Sequence, residues 1–376
     1  MTVNPAKLLR ELIALPSVNP SLAPIGDPLA GEARVADHLE SLGRKHRLDV
    51  ESMEVLPGRR NVLLRLVPSG RPNRRIVLAP HIDTVGATPA QLKPRTNGDR
   101  LYGRGACDTK GSVAAMLSAL LALARSGRRP ENTEIVFAGL VDEEYKQLGS
   151  RRLAASRFTA DLAIVGEPTR LKVVTAHKGD VWLRLFTRGK AAHGATPHLG
   201  RNAVHVAARV VELLEGPYAE SLRQRSHPLL GPPTINVGAI AGGTQPNIVP
   251  DACEIQVDRR TLPGESCAGV MRELRAVFRE AGLGVRLVDQ KGVNCDPLQT
   301  DPTTPLVSEL MRAAGARKPV GVHYFCDAAV LAEGGIPSVV FGPGDIAQAH
   351  TADEWISLRS LESATAILGR FLRAQP

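Results

Sequence analysis

The sequence is short of several things, and each shortage excludes something. Only five cysteines occur in 376 residues, Cys107, Cys253, Cys267, Cys295 and Cys326, and they are far apart and odd in number. No C-x-x-C spacing is present, so neither a disulfide framework nor a thiolate zinc knuckle is indicated. Aromatic residues are also scarce, with 7 Phe, 4 Tyr and 2 Trp. They do not interleave with the scattered arginines, so the net charge of +9 does not read as a nucleic-acid surface. A positive field of this kind draws in small anionic substrates instead. The longest mainly apolar run, residues 112–124, falls short of the roughly 20 residues that cross a bilayer, so no membrane partner is expected. The opening MTVNPAKLLRELIAL has an amphipathic helical pattern, an acidic residue and no small-residue cleavage site. It does not read as a signal peptide, and a cytoplasmic protein is expected.

What is present is ordinary globular composition, 43% apolar and 23% charged, in a chain long enough for two domains. The first 170 residues alternate apolar runs with helical patterns, as in an α/β sheet with crossover helices. Helices are expected at 8–15, 31–42 and 111–125, and strands at 61–67, 75–79, 134–141 and 162–165. The last three strands are β-branched and unalternating, hence buried on both faces. From about residue 175 to 288 the order becomes strand, helix, strand, strand, helix, strand, a small sandwich with its own core. After residue 291 the α/β character returns, with a helix near 305–315, a strand at 337–342 and a final helix at 358–373. The simplest division is a catalytic α/β domain in two parts, 1–174 and 291–376, interrupted by an inserted domain, 175–290.

The chemistry-bearing residues fall at strand ends. RIVLAP runs into His81-Ile82-Asp83, FAGLV into Asp142-Glu143-Glu144, LAIVG into Glu167, and SVVFGPG into a loop ending at His350. Carboxyl ends of strands in an open α/β sheet share one crevice, so these groups can converge. Asp108 joins them from a glycine-rich turn, GRGACDTKG. Taken singly, each residue reads as a turn or helix cap. Taken together, two imidazoles and three carboxylates form a mixed N/O set suited to zinc, cobalt or manganese. With one carboxylate bridging, such a set holds two metals about 3.5–4 Å apart. His81 and Asp83 are two apart on an extended segment and point the same way. Asp83 can then accept the second imidazole N–H and fix its tautomer. Glu143 and Glu144 must diverge, one toward metal and one toward water as general base; spacing alone does not say which.

The set HIDTV, GRGACDTKG, DEE, VGEPT and QAHTADE resembles the M20 metallopeptidases, in the family's order and over essentially the whole chain. The resemblance implies a zinc-exopeptidase-like fold: α/β, with a mixed, mostly parallel sheet flanked by helices and an inserted α+β sandwich serving as a lid or dimerisation domain. It assigns His81 and Glu167 to one metal, Glu144 and His350 to the other, Asp108 to the bridge and Glu143 to the base. GKAAHGATPHLGRNA resembles the family's GxxxH lid pattern, which gives His193 the task of stabilising the oxyanion in a partner's site. Arg260, with Arg259 beside it as the rival, aligns with an arginine that holds a substrate carboxylate. Asn247 matches a residue near substrate, or a turn-forming Asn before a strand. Gly342 and Gly344 are expected to line the substrate with backbone. Cys326 is expected as a small packing or substrate-contact residue.

The resemblance thus implies two divalent metals, zinc with cobalt or manganese as substitutes, and a homodimer built through the lid. The implied reaction is hydrolysis of the amide of an N-acylated amino acid. The segment FCDAAVLAEGGIPSVVFGPGDIAQAHTADEW looks most like the acetylornithine deacetylase branch. The alternatives are the desuccinylase branch, a dipeptide or C-terminal glutamyl peptide as substrate, and, remotely, a binding protein on the same fold. Loss of Glu143 or Asp108 would mark that last case, and neither is lost.

Overall fold

The computed structural model describes residues 4–376. The chain forms two compact units, one of Met1–Thr175, Thr300–Val320 and Cys326–Pro376, the other of Ala176–Gln299 and Gly321–Phe325.

The first unit is built on a mixed sheet in which Asp49–Leu56, Arg59–Leu66, Thr133–Gly139, Arg74–Pro80, Leu162–Gly166 and Ser338–Val340 lie side by side in that order. The last four are mutually parallel, and the first two are added antiparallel at one edge. The parallel strands are unbroken apolar runs, buried along almost their whole length, because helices cover both faces. Helix Lys110–Arg125 is buried on nearly every side, as its uniformly apolar sequence requires. Its neighbours are helices Pro5–Ala14 and Leu358–Arg373, which bury one apolar stripe each. The edge strand Asp49–Leu56 is not announced by the sequence, because its DVESMEVL run mixes polar and apolar residues and none of them is buried. Three short strands, Arg95–Asn97, Arg100–Tyr102 and Trp355–Ser357, form a separate small sheet.

In the second unit, Thr234–Gly242, Ala252–Thr261, Gly179–Arg188 and Val285–Asp289 form a fully antiparallel sheet in that spatial order. Burial alternates along Ala252–Thr261, so one face meets helices Ala203–Leu213 and Cys267–Glu280 in a shared core that includes Leu183, Leu185, Ile255, Leu274 and Phe278. The edge strand Thr234–Gly242 stays largely exposed despite its apolar sequence, Ile240 included.

Candidate metal centre

Strand register brings the site together. Ile82 N–H donates to Leu140 O at 2.8 Å, and His81 pairs with Leu140 across the parallel strands. The segments 81–83 and 142–144 therefore leave the sheet together. Pro80 is paired with Gly166, which sets Glu167 beside His81. Asp108 arrives from the turn before helix Lys110–Arg125. That turn needs glycine at 105, where φ is +80° and a Cβ would stand 2.9 Å from the Lys110 side chain.

His81 Nε2 lies 3.1 Å from Asp108 Oδ1 and 3.8 Å from Glu167 Oε1. His350 Nε2 lies 3.2 Å from the other oxygen, Asp108 Oδ2, and 3.1 Å from Glu144 Oε2. One carboxylate thus faces two imidazoles, each with a glutamate of its own. His81, Asp108 and Glu144 alone offer three ligand atoms within 4.8 Å of one another. His350 holds a left-handed φ of +60°, a conformation that costs a non-glycine residue about 1 kcal/mol or more. Such strain concentrates at sites where a side chain must point one way.

Asp83 departs from the simple expectation. The nearest acceptor to His81 Nδ1 is the Asp83 main-chain carbonyl at 3.0 Å, with the carboxylate oxygen at 3.5 Å. A carbonyl only accepts, so Nδ1 carries a proton, and Nε2 is the nitrogen that faces Asp108 and Glu167. The carboxylate has a second duty: Oδ1 accepts the N–H of Glu143 and Oδ2 the N–H of Glu144, both at 3.1 Å. Asn19 Nδ2 donates to Asp83 Oδ2 at 2.8 Å and to Asp142 Oδ1 at 3.1 Å. Arg59 Nη2 donates to Asp142 at 2.9 Å, and the same guanidinium forks onto Glu32. This buried chain runs from Glu32 to the two glutamates, and nothing in the spacing of residues 19, 32, 59 and 142 announces it.

The electrostatics are those of crowded acids. Burial, then the neighbouring charges of Glu167 and Asp327, push the Glu143 carboxyl well above the usual range. Burial and Asp108 raise Glu144, and burial with the surrounding carboxylates raises Glu167 well up. Hydrogen bonds to Asp108 and Glu144 lift His350 to about 10. Burial pulls His81 down, but Asp108 and Asp83 outweigh it and raise it well above 6.5. Glu167 Oε1 is buried with no hydrogen-bond partner among the described residues, and each imidazole Nε2 faces carboxylate oxygens. Nitrogen and oxygen donors that converge in this way fit divalent metal ions.

The two glycines expected beside the substrate, Gly342 and Gly344, are tied by hydrogen bonds to the segments around them. Gly342 is buried, and a Cβ there would collide with Ser112 Oγ and the Glu167 carbonyl. Its N–H donates to Thr169 Oγ1 and its carbonyl accepts from Leu171, while Gly344 is bonded to Ser360 and Arg170. Their main-chain groups bond to Thr169, Leu171, Arg170 and Ser360, which packs the segment that follows Glu167. Cys326 is buried. The adjacent Asp327 is fully buried. One of its oxygens accepts from Ser150 Oγ, and the other has no partner among the described residues.

In the second unit, His193 is exposed, and its Nδ1 accepts the Ala195 N–H at 3.1 Å. Asn247 lies against the same loop, its carbonyl accepting the Gly194 N–H at 2.8 Å. Arg259 is fully buried, its guanidinium donating to Glu265 at 2.8 Å and to the Arg260 carbonyl. Arg260 is paired with Asp258 at 3.0 Å and keeps about a quarter of its side chain exposed. Arg259 is therefore committed within the unit, whereas Arg260 retains a face open to solvent.

A family model described as Peptidase family M20/M25/M40 matches residues 77–374. A curated acetylornithine deacetylase of Myxococcus xanthus is 35% identical over 321 residues, 80% of this chain and 80% of that protein. One from Vibrio campbellii is 30% identical over 358 residues, 90% and 91% of the two chains. Among solved structures, a Staphylococcus aureus tripeptidase superposes with a TM-score of 0.80 at 20% identity, covering 98% of this chain and 97% of its own.

Proposed function

This chain belongs to the M20/M25/M40 peptidase family, a hydrolase family acting on amide bonds, and from that premise we propose that it is a two-metal deacylase of N-acylated amino acids, with N-acetylornithine the first substrate to try. The observation that carries the reading is Asp108, whose two oxygens each face one imidazole. His81 and Glu167 would hold one cation and His350 and Glu144 the other, with Asp108 shared between them. Zinc suits these donors best. When bound, the two ions polarise the scissile carbonyl and make water a stronger acid.

The chain's own groups do the rest. Glu143, next in sequence to the ligand Glu144, takes the proton of the attacking water and returns it to the departing amine. Asp83 keeps the His81 tautomer and the Glu143–Glu144 main chain in place. Arg260 receives the substrate carboxylate, with Asn247 nearby. His193 stabilises the oxyanion and is supplied by a partner chain. A homodimer is supported by the exposed apolar edge strand Thr234–Gly242, a surface that invites pairing with a second copy. Light scattering reads that state directly.

The test is turnover of N-acetylornithine, N-succinyl-diaminopimelate, other N-acyl amino acids and dipeptides, with zinc or cobalt added. The expected result is rapid hydrolysis of an acyl-amino acid, abolished in Glu143→Gln with metal still bound. Turnover of dipeptides alone would overturn the substrate class.

A further inference from the structure

Glu354 has no part in the reaction above, yet its carboxylate is heavily engaged beside the site. It is buried, and Oε1 accepts the main-chain N–H of Cys107 at 2.8 Å and of Asp108 at 2.9 Å. Oε2 accepts the Gly105 N–H at 2.9 Å and Arg104 Nη1 at 2.8 Å. Four donors from residues 104–108 therefore converge on one side chain. The main chain adds a fifth link, with Gly103 N–H donating to Glu354 O at 3.0 Å. Immediately beyond, Trp355 pairs with Tyr102 and Ile356 with Leu101.

Glu354 lies four residues after His350. The segment that carries His350 is thus bolted to the turn that carries Asp108, by a strand pair on one side and by this carboxylate on the other. His81 and Glu167 are positioned independently, by the central sheet.

We infer that Glu354 is a positioning residue that sets the distance between Asp108 and His350, and so governs how the Glu144–His350 half of the centre takes up its cation. The inference rests on the two-metal reading of Asp108. A carboxylate is needed because all four partners are donors. A glutamine at 354 keeps the shape, but an N–H₂ donor replaces one of the two oxygens and faces donors. The turn then relaxes, and Asp108 Oδ2 and His350 Nε2 drift from their 3.2 Å approach. Ligands held by such outer partners commonly lose about 10–100-fold in metal affinity when the partner is changed.

The experiment is titration of the metal-free full chain with cobalt(II), read by absorption and by competition with a chelator, on wild type, Glu354→Gln and Glu354→Asp. Wild type takes up about two equivalents. Both variants are expected to bind the first ion nearly as wild type does and the second about 10–100-fold more weakly, with a changed cobalt spectrum. The melting point of the metal-free protein separates this from general damage, which would weaken both ions together. Two ions bound by Glu354→Gln with wild-type affinities and spectrum would overturn the inference. Should that variant not fold, Glu354→Asp decides the question in the same way, since it keeps the charge but cannot reach all four donors. Failure of wild type to bind any metal would instead overturn the two-metal reading itself.

Discussion

The carboxylate of Asp83 accepts the main-chain N–H of Glu144 at 3.1 Å. The neighbouring N–H of Glu143 reaches its other oxygen at the same distance. Asp83 therefore orients two adjacent glutamates through their backbone, besides its contact with His81. Replacement by asparagine keeps one acceptor and presents an N–H₂ to an N–H. Asp83→Asn is expected to lower kcat about 10–100-fold with little change in KM, measured by steady-state hydrolysis of the best substrate. An unchanged kcat would remove Asp83 from the site.

The two adjacent arginines of the second unit separate cleanly. Arg259 is fully buried on Glu265 and the Arg260 carbonyl, and truncation removes a donor from both, although Glu265 keeps Arg225 and the Leu262 N–H. Arg259→Met should cost about 1–3 kcal/mol of stability in urea unfolding. Arg260→Ala should leave stability within about 0.5 kcal/mol and raise KM about tenfold or more for substrates with a free carboxylate, the loss of one charge-assisted contact. An Arg260→Ala enzyme with normal KM would take Arg260 out of substrate binding.

Lys110 is fully buried, and its ammonium donates to Leu12 O at 3.0 Å and Leu15 O at 2.7 Å, the carbonyls at the end of the first helix. Lys110→Met removes a donor from two carbonyls, of which Leu12 O keeps the Leu15 N–H, and is expected to destabilise by about 1–3 kcal/mol in denaturant titration. A change under about 0.5 kcal/mol would show that this tie is dispensable.

Burial pulls His177 from 6.5 down to about 4, its ring packed edge-on against Phe325 with centroids 5.5 Å apart. Between about pH 6.5 and 4 the unfolded chain binds a proton that the folded chain refuses. Stability from this group is therefore complete above about pH 6.5 and falls as pH drops through the window, by a few kcal/mol at most. His177→Gln should flatten that part of the profile, seen as a urea midpoint less sensitive to pH between about 7 and 4.5. Equal slopes in the two proteins would contradict the assignment.

Much of the fold was legible in the sequence, because the buried parallel strands and the apolar helix Lys110–Arg125 announce themselves by composition. The β-α-β-β-α-β order of the inserted segment was readable for the same reason, as alternating burial leaves a period in the sequence. Four of the five candidate ligands stood out by position, each following a strand's carboxyl end, where sheet topology alone brings them near one another, and Asp108 stood out in its glycine-rich turn. What stayed hidden was support from a distance. Asn19, Glu32, Arg59 and Asp142 meet only after folding, and of these only Asp142, in the DEE run, sits in a pattern. The neighbours that crowd Gly342, Ser112 and Glu167, were hidden too, because a glycine's need for space does not say what fills it. Glu354 was visible inside QAHTADE, but its four donors come from a turn some 250 residues earlier in the chain.

The two-metal centre is tested most directly by the metal content of the chain, purified without chelator, saturated with zinc, freed of loose metal and measured by mass spectrometry beside Asp108→Ala. About two ions per chain are expected in the wild type, and loss of both high-affinity sites in the variant. A folded wild-type chain that retains no metal would refute the centre.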